Sequence, residues 1–348
     1  MLDGRRYYAT GPTEATARRR LGDIKRDHAR GQLVVPQRLR VAEHLNEWLE
    51  VGAADWKPRT TAYYRDNVRL YLEPAFGHMR LQRLEAPVVA RQFARWRADG
   101  RASGGTLLNV YKTFHRALVV AHRWGRIARN PLDAVEPPRA RRRRPTLWSV
   151  DETREFLAAG GSEGPWPVAW SLLIGTGARL GEVLALEWSD VDLGSGRVHI
   201  ARSAGRLAGT EVVTAPKTEA GERTLNLPQE TVATMRRWRA EQAGARLAAG
   251  SVWASGDRVL SRVDGRMATR DAIRWAFQRT AQAAGVPRLR LHDLRHLHAT
   301  FLLAQGLPPS AVAARLGHAT PAVTMAVYAR ALSGSDDLAA QSMSTLLA

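Results

Sequence analysis

The chain has 348 residues, no cysteine, and 52 lysines and arginines against 33 acidic residues, for a formal charge of +19. Length and a 45% apolar fraction suit a globular protein of two or three domains, and the charge makes a polyanion the expected partner. The missing cysteines exclude disulfides, thiolate catalysis and Cys-ligated zinc, and nothing resembles a signal peptide or transmembrane span, which favours nucleic acid over membrane.

In residues 1–37, Tyr7 and Tyr8 could close a short strand. Thr13 could cap a helix carrying Arg18, Arg19, Arg20, Lys25 and Arg26, which Gly31 would end. That helix is either a DNA contact or a solvated basic face. Residues 38–135 are helical in pattern throughout. Val41, Leu45, Trp48 and Leu49 give one apolar face; Pro58 opens a second helix running through Leu72; Pro87 opens a third through Trp96; a fourth runs from about Thr106 to Trp124. Arg116, Arg123, Arg126 and Arg129 gather near the end of that last helix, as a DNA face or a solvated one, and Asn130-Pro131 stops the helical run.

Residues 136–146 read as a linker. Pro137-Pro138 keep it extended, and Arg139, Arg141, Arg142, Arg143 and Arg144 would neutralise several phosphates if it lay along a duplex. The bland alternative is a tether whose charge only aids solubility. Because the segment joins two basic regions that could wrap a duplex, the DNA reading is favoured.

Residues 147–332 mix helices and strands. Helices are expected over Asp151–Ala159 and Trp166–Ile174, and Gly175 and Gly177 then break the chain before a helix that starts at Arg179 and holds Glu182 one turn on. Strand alternation follows at Arg197–Ile200, Glu211–Thr214 and Arg223–Leu227, with a hairpin turn at Glu219–Gly221 and Lys217 beside it at the sheet margin. Further helices start near Thr231, Thr269 and Pro308.

The stretch from Leu291 to Tyr328 carries the densest chemistry. His292 and Arg295, three apart at a helix start, can approach one small anion. Gly317 reads as a helix stop that leaves His318 on a turn, and Thr320-Pro321 caps a helix bearing Tyr328. Leu291, Leu294, His298, Phe301 and Leu302 form an apolar stripe, so His298 is expected to be a packed core histidine, whereas His296 shares the His292 face as either a supporting contact or a residue with no role. A phenol, a guanidinium and two imidazoles describe a site that handles phosphate with no metal and no cofactor.

In chain order the candidates are Arg179, Lys217, His292, Arg295, His318 and Tyr328. Their contexts are Thr176-Gly177-Ala178-Arg179-Leu180-Gly181-Glu182, Pro216-Lys217-Thr218 with Arg223-Thr224, His292-Asp293-Leu294-Arg295-His296, Leu316-Gly317-His318 and Tyr328-Ala329-Arg330. Each motif is weak alone, but the ordered set resembles the catalytic domain of the tyrosine recombinases, the phage integrase family. Upstream, Phe76-Gly77 and Arg129-Asn130-Pro131 resemble that family's core-binding domain, and residues 1–37 a partial arm-type DNA-binding module.

The resemblance implies a multidomain fold: an all-α core-binding domain of the SAM-like helical bundle type, plus a mainly helical α+β catalytic domain with a small antiparallel sheet. It implies site-specific DNA integration through a 3′-phosphotyrosyl intermediate and a Holliday junction. Tyr328 would be nucleophile, Arg179 and Arg295 phosphate clamps, Lys217 the proton donor to the leaving 5′-oxygen, and His292 and His318 hydrogen-bonding or proton-transfer groups, with Glu182 and His296 bracing. Double-stranded attachment-site DNA, a tetramer assembled on it, an accessory directionality or DNA-bending protein and a nucleoid-associated cytoplasmic location are implied as well. Residues 333–348 are expected to form a tail for protomer contacts. A type IB topoisomerase-like enzyme, or a catalytically silent DNA-binding protein on the same scaffold, remain the alternatives.

Overall fold

The structure, a computed structural model, describes residues 12–29, 38–140, 146–161, 164–207, 210–214, 221–254, 256–262 and 264–318. The chain divides into two compact units, Met1–Arg143 and Arg144–Ala348. Lys217, Tyr328, Arg141, Arg142, Arg143, Arg144, and the expected tail fall outside the described residues.

The first unit opens with α1 (Glu14–Ala29), whose first turn is capped as expected: the Thr13 hydroxyl accepts the Thr16 N–H at 3.3 Å. Four helical pieces follow, α2 (Val41–Ala53), α3 (Pro58–Asn67), α4 (Glu73–Phe76) and α5 (Ala86–Ala98), and then the long α6 (Gly104–Arg123). Their apolar stripes converge on one core containing Leu45, Trp48, Leu72, Phe76, Phe93, Leu107, Phe114 and Leu118. The helix expected to end at Leu72 does not stop there. Residues Val68–Leu72 widen into a π turn and continue into α4. Pro74 is the reason, because it has no N–H to give the Leu70 carbonyl; Arg101 Nη2 donates to that oxygen instead, at 3.3 Å. Part of the expected linker also packs on this unit: Pro138 is buried, and the Tyr111 hydroxyl lies 2.8 Å and 2.9 Å from the carbonyls of Leu132 and Val135 just before it.

The second unit is built around α8 (Pro165–Thr176), which buries Val168, Ala169, Trp170, Leu172 and Leu173 and is therefore apolar nearly all round. Around it run α7 (Val150–Ala159), α9 (Leu180–Leu184), α10 (Gln229–Ala249), α11 (Arg270–Ala283), α12 (Asp293–Ala304) and α13 (Pro309–Leu316). Strands β1 (Val191–Asp192), β2 (Arg197–Ile200) and β5 (Arg223–Asn226) make one antiparallel sheet in the order β1-β2-β5; β3 (Ser203–Leu207) and β4 (Thr210–Thr214) make a second. One small sheet is expected and two are found among the described residues. The sequence suggests a hairpin across Glu219–Gly221, of which Glu219 and Ala220 lie outside the described residues; β4 pairs with β3 and β5 with β2, not with each other. Among the described residues no helix is long and apolar enough to cross a membrane.

Candidate active site

Three short signals in the sequence place the site residues. Gly177 ends α8 in the left-handed conformation at φ 64°, where an added Cβ would stand 2.6 Å from both His298 Cδ2 and Leu316 Cδ2. Arg179 follows as the extended N-cap of α9, and Glu182 folds back so that its Oε2 accepts the Arg179 backbone N–H at 2.9 Å. Gly317, left-handed at φ 67°, ends α13 and leaves His318 on the turn beyond, as expected.

Three consecutive carbonyls at the C-terminus of α13 each accept a guanidinium from a different element. Arg223 Nε, at the start of β5, donates to the Arg315 carbonyl at 2.8 Å; Arg295 Nη2, from α12, donates to Leu316 at 2.6 Å; Arg179 Nη2 donates to Gly317 at 3.1 Å. The negative end of a helix attracts such cations. Arg295 also donates to the Gly177 carbonyl at 2.8 Å, tying α12 to the end of α8. Glu182 lies between two of the guanidiniums, with Oε1 2.7 Å from Arg179 Nη1 and Oε2 2.9 Å from Arg223 Nη2. Its side chain is 6% exposed and that of Arg223 8%, whereas Arg179 keeps 41% of its surface open to solvent.

These neighbours set the charge states. Burial would raise the Glu182 carboxyl, but the Arg223 hydrogen bond and charge and the Arg179 bonds hold it below its usual range. Burial, and then repulsion from Arg179 and Arg223 only partly offset by Glu182, lowers Arg295 to about 9, which still leaves it a cation at neutral pH. His318 falls to about 4 through burial and the nearby Arg295, Arg179, His296 and Arg223. His292 is also lowered, by desolvation first and then by His296 and Arg295. Both imidazoles are therefore neutral at pH 7, able to accept a proton. His292 and His296 stand edge to face with ring centroids 5.6 Å apart, and Asp293, 1% exposed, fixes the turn that carries them through two 2.7 Å bonds from Arg290.

Arg179, Glu182, Arg295 and His318 thus come together, with His292 and His296 on the adjoining helix start. His298 is the packed residue it was expected to be, its Nδ1 2.7 Å from the Ile174 carbonyl and its Nε2 accepting from Arg315 Nε at 3.3 Å. Sequence reasoning quoted Arg223 within a motif but gave it no role, and missed Arg315 as a member of this network. For Arg223 the signal was strand alternation, since it shares a face with buried Leu225. Arg315 carried none, because a single arginine in a last helical turn looks like any other; here it donates to the carbonyls of Gly175 at 3.0 Å and Asn226 at 3.1 Å.

In the first unit, Arg123 and Arg139 are exposed, and Arg116 lies over the Trp56 and Tyr64 rings, 5.7 Å from each centroid. Arg126 is engaged within the unit: Nη2 is 2.6 Å from Glu47 Oε1, Nη1 donates to His44 Nδ1 at 3.0 Å, and the guanidinium sits 4.5 Å from the Trp124 ring centroid.

A helical domain and a helix-rich domain with small antiparallel sheets form a fold shared with solved integrases. The Tn1549 transposon integrase, in complex with a circular intermediate DNA, matches with a TM-score of 0.75 at 18% identity over 88% of this chain and 99% of that one. A lambda integrase tetramer bound to a Holliday junction matches at 0.62 and 17%, over 91% and 88%. In sequence, the phage integrase family model matches residues 167–334, the model of the phage integrase N-terminal SAM-like domain matches residues 41–94, and an integrase of Streptomyces ambofaciens is 29% identical over 333 residues, 92% of this chain and 83% of that protein. The chain belongs to the phage integrase family of tyrosine recombinases. It is a site-specific recombinase that cleaves and rejoins DNA strands.

Proposed function

We propose that this recombinase integrates a phage or other mobile element, and that Arg179, Lys217, His292, Arg295, His318 and Tyr328 carry its chemistry. The observation that supports these roles best is the convergence of Arg179 and Arg295 on the carbonyls of Gly317 and Leu316, immediately before His318. Two planar guanidiniums beside a neutral imidazole suit a phosphodiester whose non-bridging oxygens gain charge in the transition state.

In this reading the Tyr328 oxygen attacks the scissile phosphorus while its proton passes to His292 or His318. An unassisted phenol, with a pKa of about 10, is a poor nucleophile at neutral pH. The bond from phosphorus to the 5′-oxygen breaks, and Lys217 protonates that oxygen as it leaves. A 3′-phosphotyrosyl bond remains, which conserves the phosphodiester energy for rejoining when a 5′-hydroxyl attacks it. Glu182 braces Arg179, and His296 supports His292. Two such exchanges, made by four protomers on a Holliday junction, complete the recombination, with an accessory directionality or DNA-bending protein selecting its direction.

The domain roles belong to the same proposal. Residues 1–37 serve as a partial arm-type module, 38–135 as the core-binding domain, 136–146 as a basic linker, 147–332 as the catalytic domain and 333–348 as a tail for protomer contacts. Arg116, Arg123, Arg139 and Arg141–Arg144 contact phosphates, while Arg126, already paired with Glu47, contributes to DNA binding mainly by holding the end of α6.

The test uses nicked suicide substrates made from the DNA flanking the chain's own gene, incubated without added metal. A protein–DNA adduct that survives denaturing electrophoresis and disappears in Tyr328→Phe is expected. Tight, salt-sensitive binding with no adduct on any fragment would favour a silent DNA-binding protein instead.

A further inference from the structure

We propose that Arg223 is a positioning residue for strand cleavage, fixing both the Glu182 carboxylate that orients Arg179 and the end of α13 that His318 follows. The proposal rests on the catalytic reading above. Its basis is the set of three consecutive carbonyls on α13. Two of their guanidinium partners, Arg179 and Arg295, are assigned to the phosphate; the third is Arg223, which nothing assigns to the reaction.

Arg223 differs from Arg179 in how completely its donors are used, and from Arg295, which is as deeply buried, in bonding a carboxylate as well as backbone carbonyls. Nη2 meets Glu182 Oε2 at 2.9 Å, Nε meets the Arg315 carbonyl at 2.8 Å and Nη1 meets the Gly221 carbonyl at 2.9 Å. With its side chain only 8% exposed, it is spent on protein partners, whereas Arg179 retains a solvent-facing surface for substrate. Each bond ends on a different piece of the site. Glu182 is shared with Arg179, the Arg315 carbonyl lies three residues before His318, and Gly221 lies two residues ahead of the start of β5. A planar fork is the side chain that can hold three such acceptors in one orientation, and a single ammonium cannot. The Arg223 charge also faces His318 alongside those of Arg295 and Arg179, with His296 close by, so it helps keep that imidazole neutral.

The test compares full-length Arg223→Gln and Arg223→Lys with wild type and with Glu182→Gln. Arg223→Gln should bind DNA as wild type does but cleave a suicide substrate about 100-fold more slowly in a single turnover, the scale of a small misplacement at a reacting centre. Arg223→Lys should recover part of the rate by restoring the charge beside Glu182. The Arg223→Gln, Glu182→Gln double variant should lose no more than the worse single one, because the two act as one unit. Titration of His318 by NMR on histidine-labelled protein needs no DNA, and its pKa should rise in Arg223→Gln. Wild-type cleavage by Arg223→Gln, a parallel loss of folding, affinity and cleavage, or an unmoved His318 titration would each overturn the proposal. A wild-type protein that forms no adduct would count against the catalytic reading alone, with the His318 titration still deciding where Arg223 acts.

Discussion

Burial and the guanidiniums of Arg315 and Arg295 push His298 from 6.5 to about 4, against the upward pull of the Ile174 carbonyl. Between those two values the unfolded chain binds a proton that the folded chain does not. Stability is therefore full above about pH 6.5, falls as pH drops toward 4, and changes no further from this group below that; the full loss is on the order of 3 kcal/mol. Denaturant melts across this range should show a smaller slope with pH for His298→Gln than for wild type, and equal slopes would contradict the assignment. The helical stripe made His298 legible as a core residue, but the same stripe misplaced Phe301, which is 47% exposed. The cause is the neighbour: α13 packs on Ala299 and Leu303, on the side of α12 turned away from Phe301. Arg126 was illegible in the other direction, because its partners Glu47 and His44 lie about 80 residues away in sequence, and only the packing of α2 on the end of α6 brings them to it.

Between elements, Gly177 is where α8, α12 and α13 meet. Gly177→Ala would impose a left-handed alanine, costing about 1–2 kcal/mol before the contacts with His298 and Leu316 are counted. It would also move the carbonyl that receives Arg295. The expected outcome is a lower unfolding midpoint together with a cleavage defect larger than the loss of folded protein explains; a variant that only melts earlier would show that the carbonyl has no bearing on the site. The glycines, prolines and caps made most helix ends readable, since each acts within one turn. Strand pairing was less so. The two-residue β1 is too short to show an alternation, and β3 reads Ser-Ala-Gly-Arg-Leu, with little β-branched character to mark it, so β4 and β5 looked like partners across a turn. Of the candidate site, Arg179, Arg295 and His318 were legible from their ordered motifs, whereas the holding contacts of Arg223 and Arg315 were not, because their acceptors are backbone carbonyls and side chains far off in sequence.

For the whole molecule, the charge of +19 predicts binding dominated by phosphate contacts and so steeply weakened by salt. Replacing Arg141, Arg142, Arg143 and Arg144 with glutamine should weaken binding to all sequences alike and flatten the salt dependence by roughly one unit of log slope per lost phosphate contact. A defect confined to one sequence would indicate base reading by the linker instead. The proposed chemistry turns on one bond: a Tyr328 oxygen joined to a 3′-phosphate held by Arg179, Arg295 and His318. Its most direct measurement is peptide mass spectrometry of the adduct trapped on a suicide substrate, with the DNA end identified by enzymatic digestion. A 3′-phosphotyrosyl linkage on the peptide containing Tyr328 is the predicted result. A linkage to any other side chain, or through a 5′-phosphate, would rule out Tyr328 as the nucleophile of this reaction.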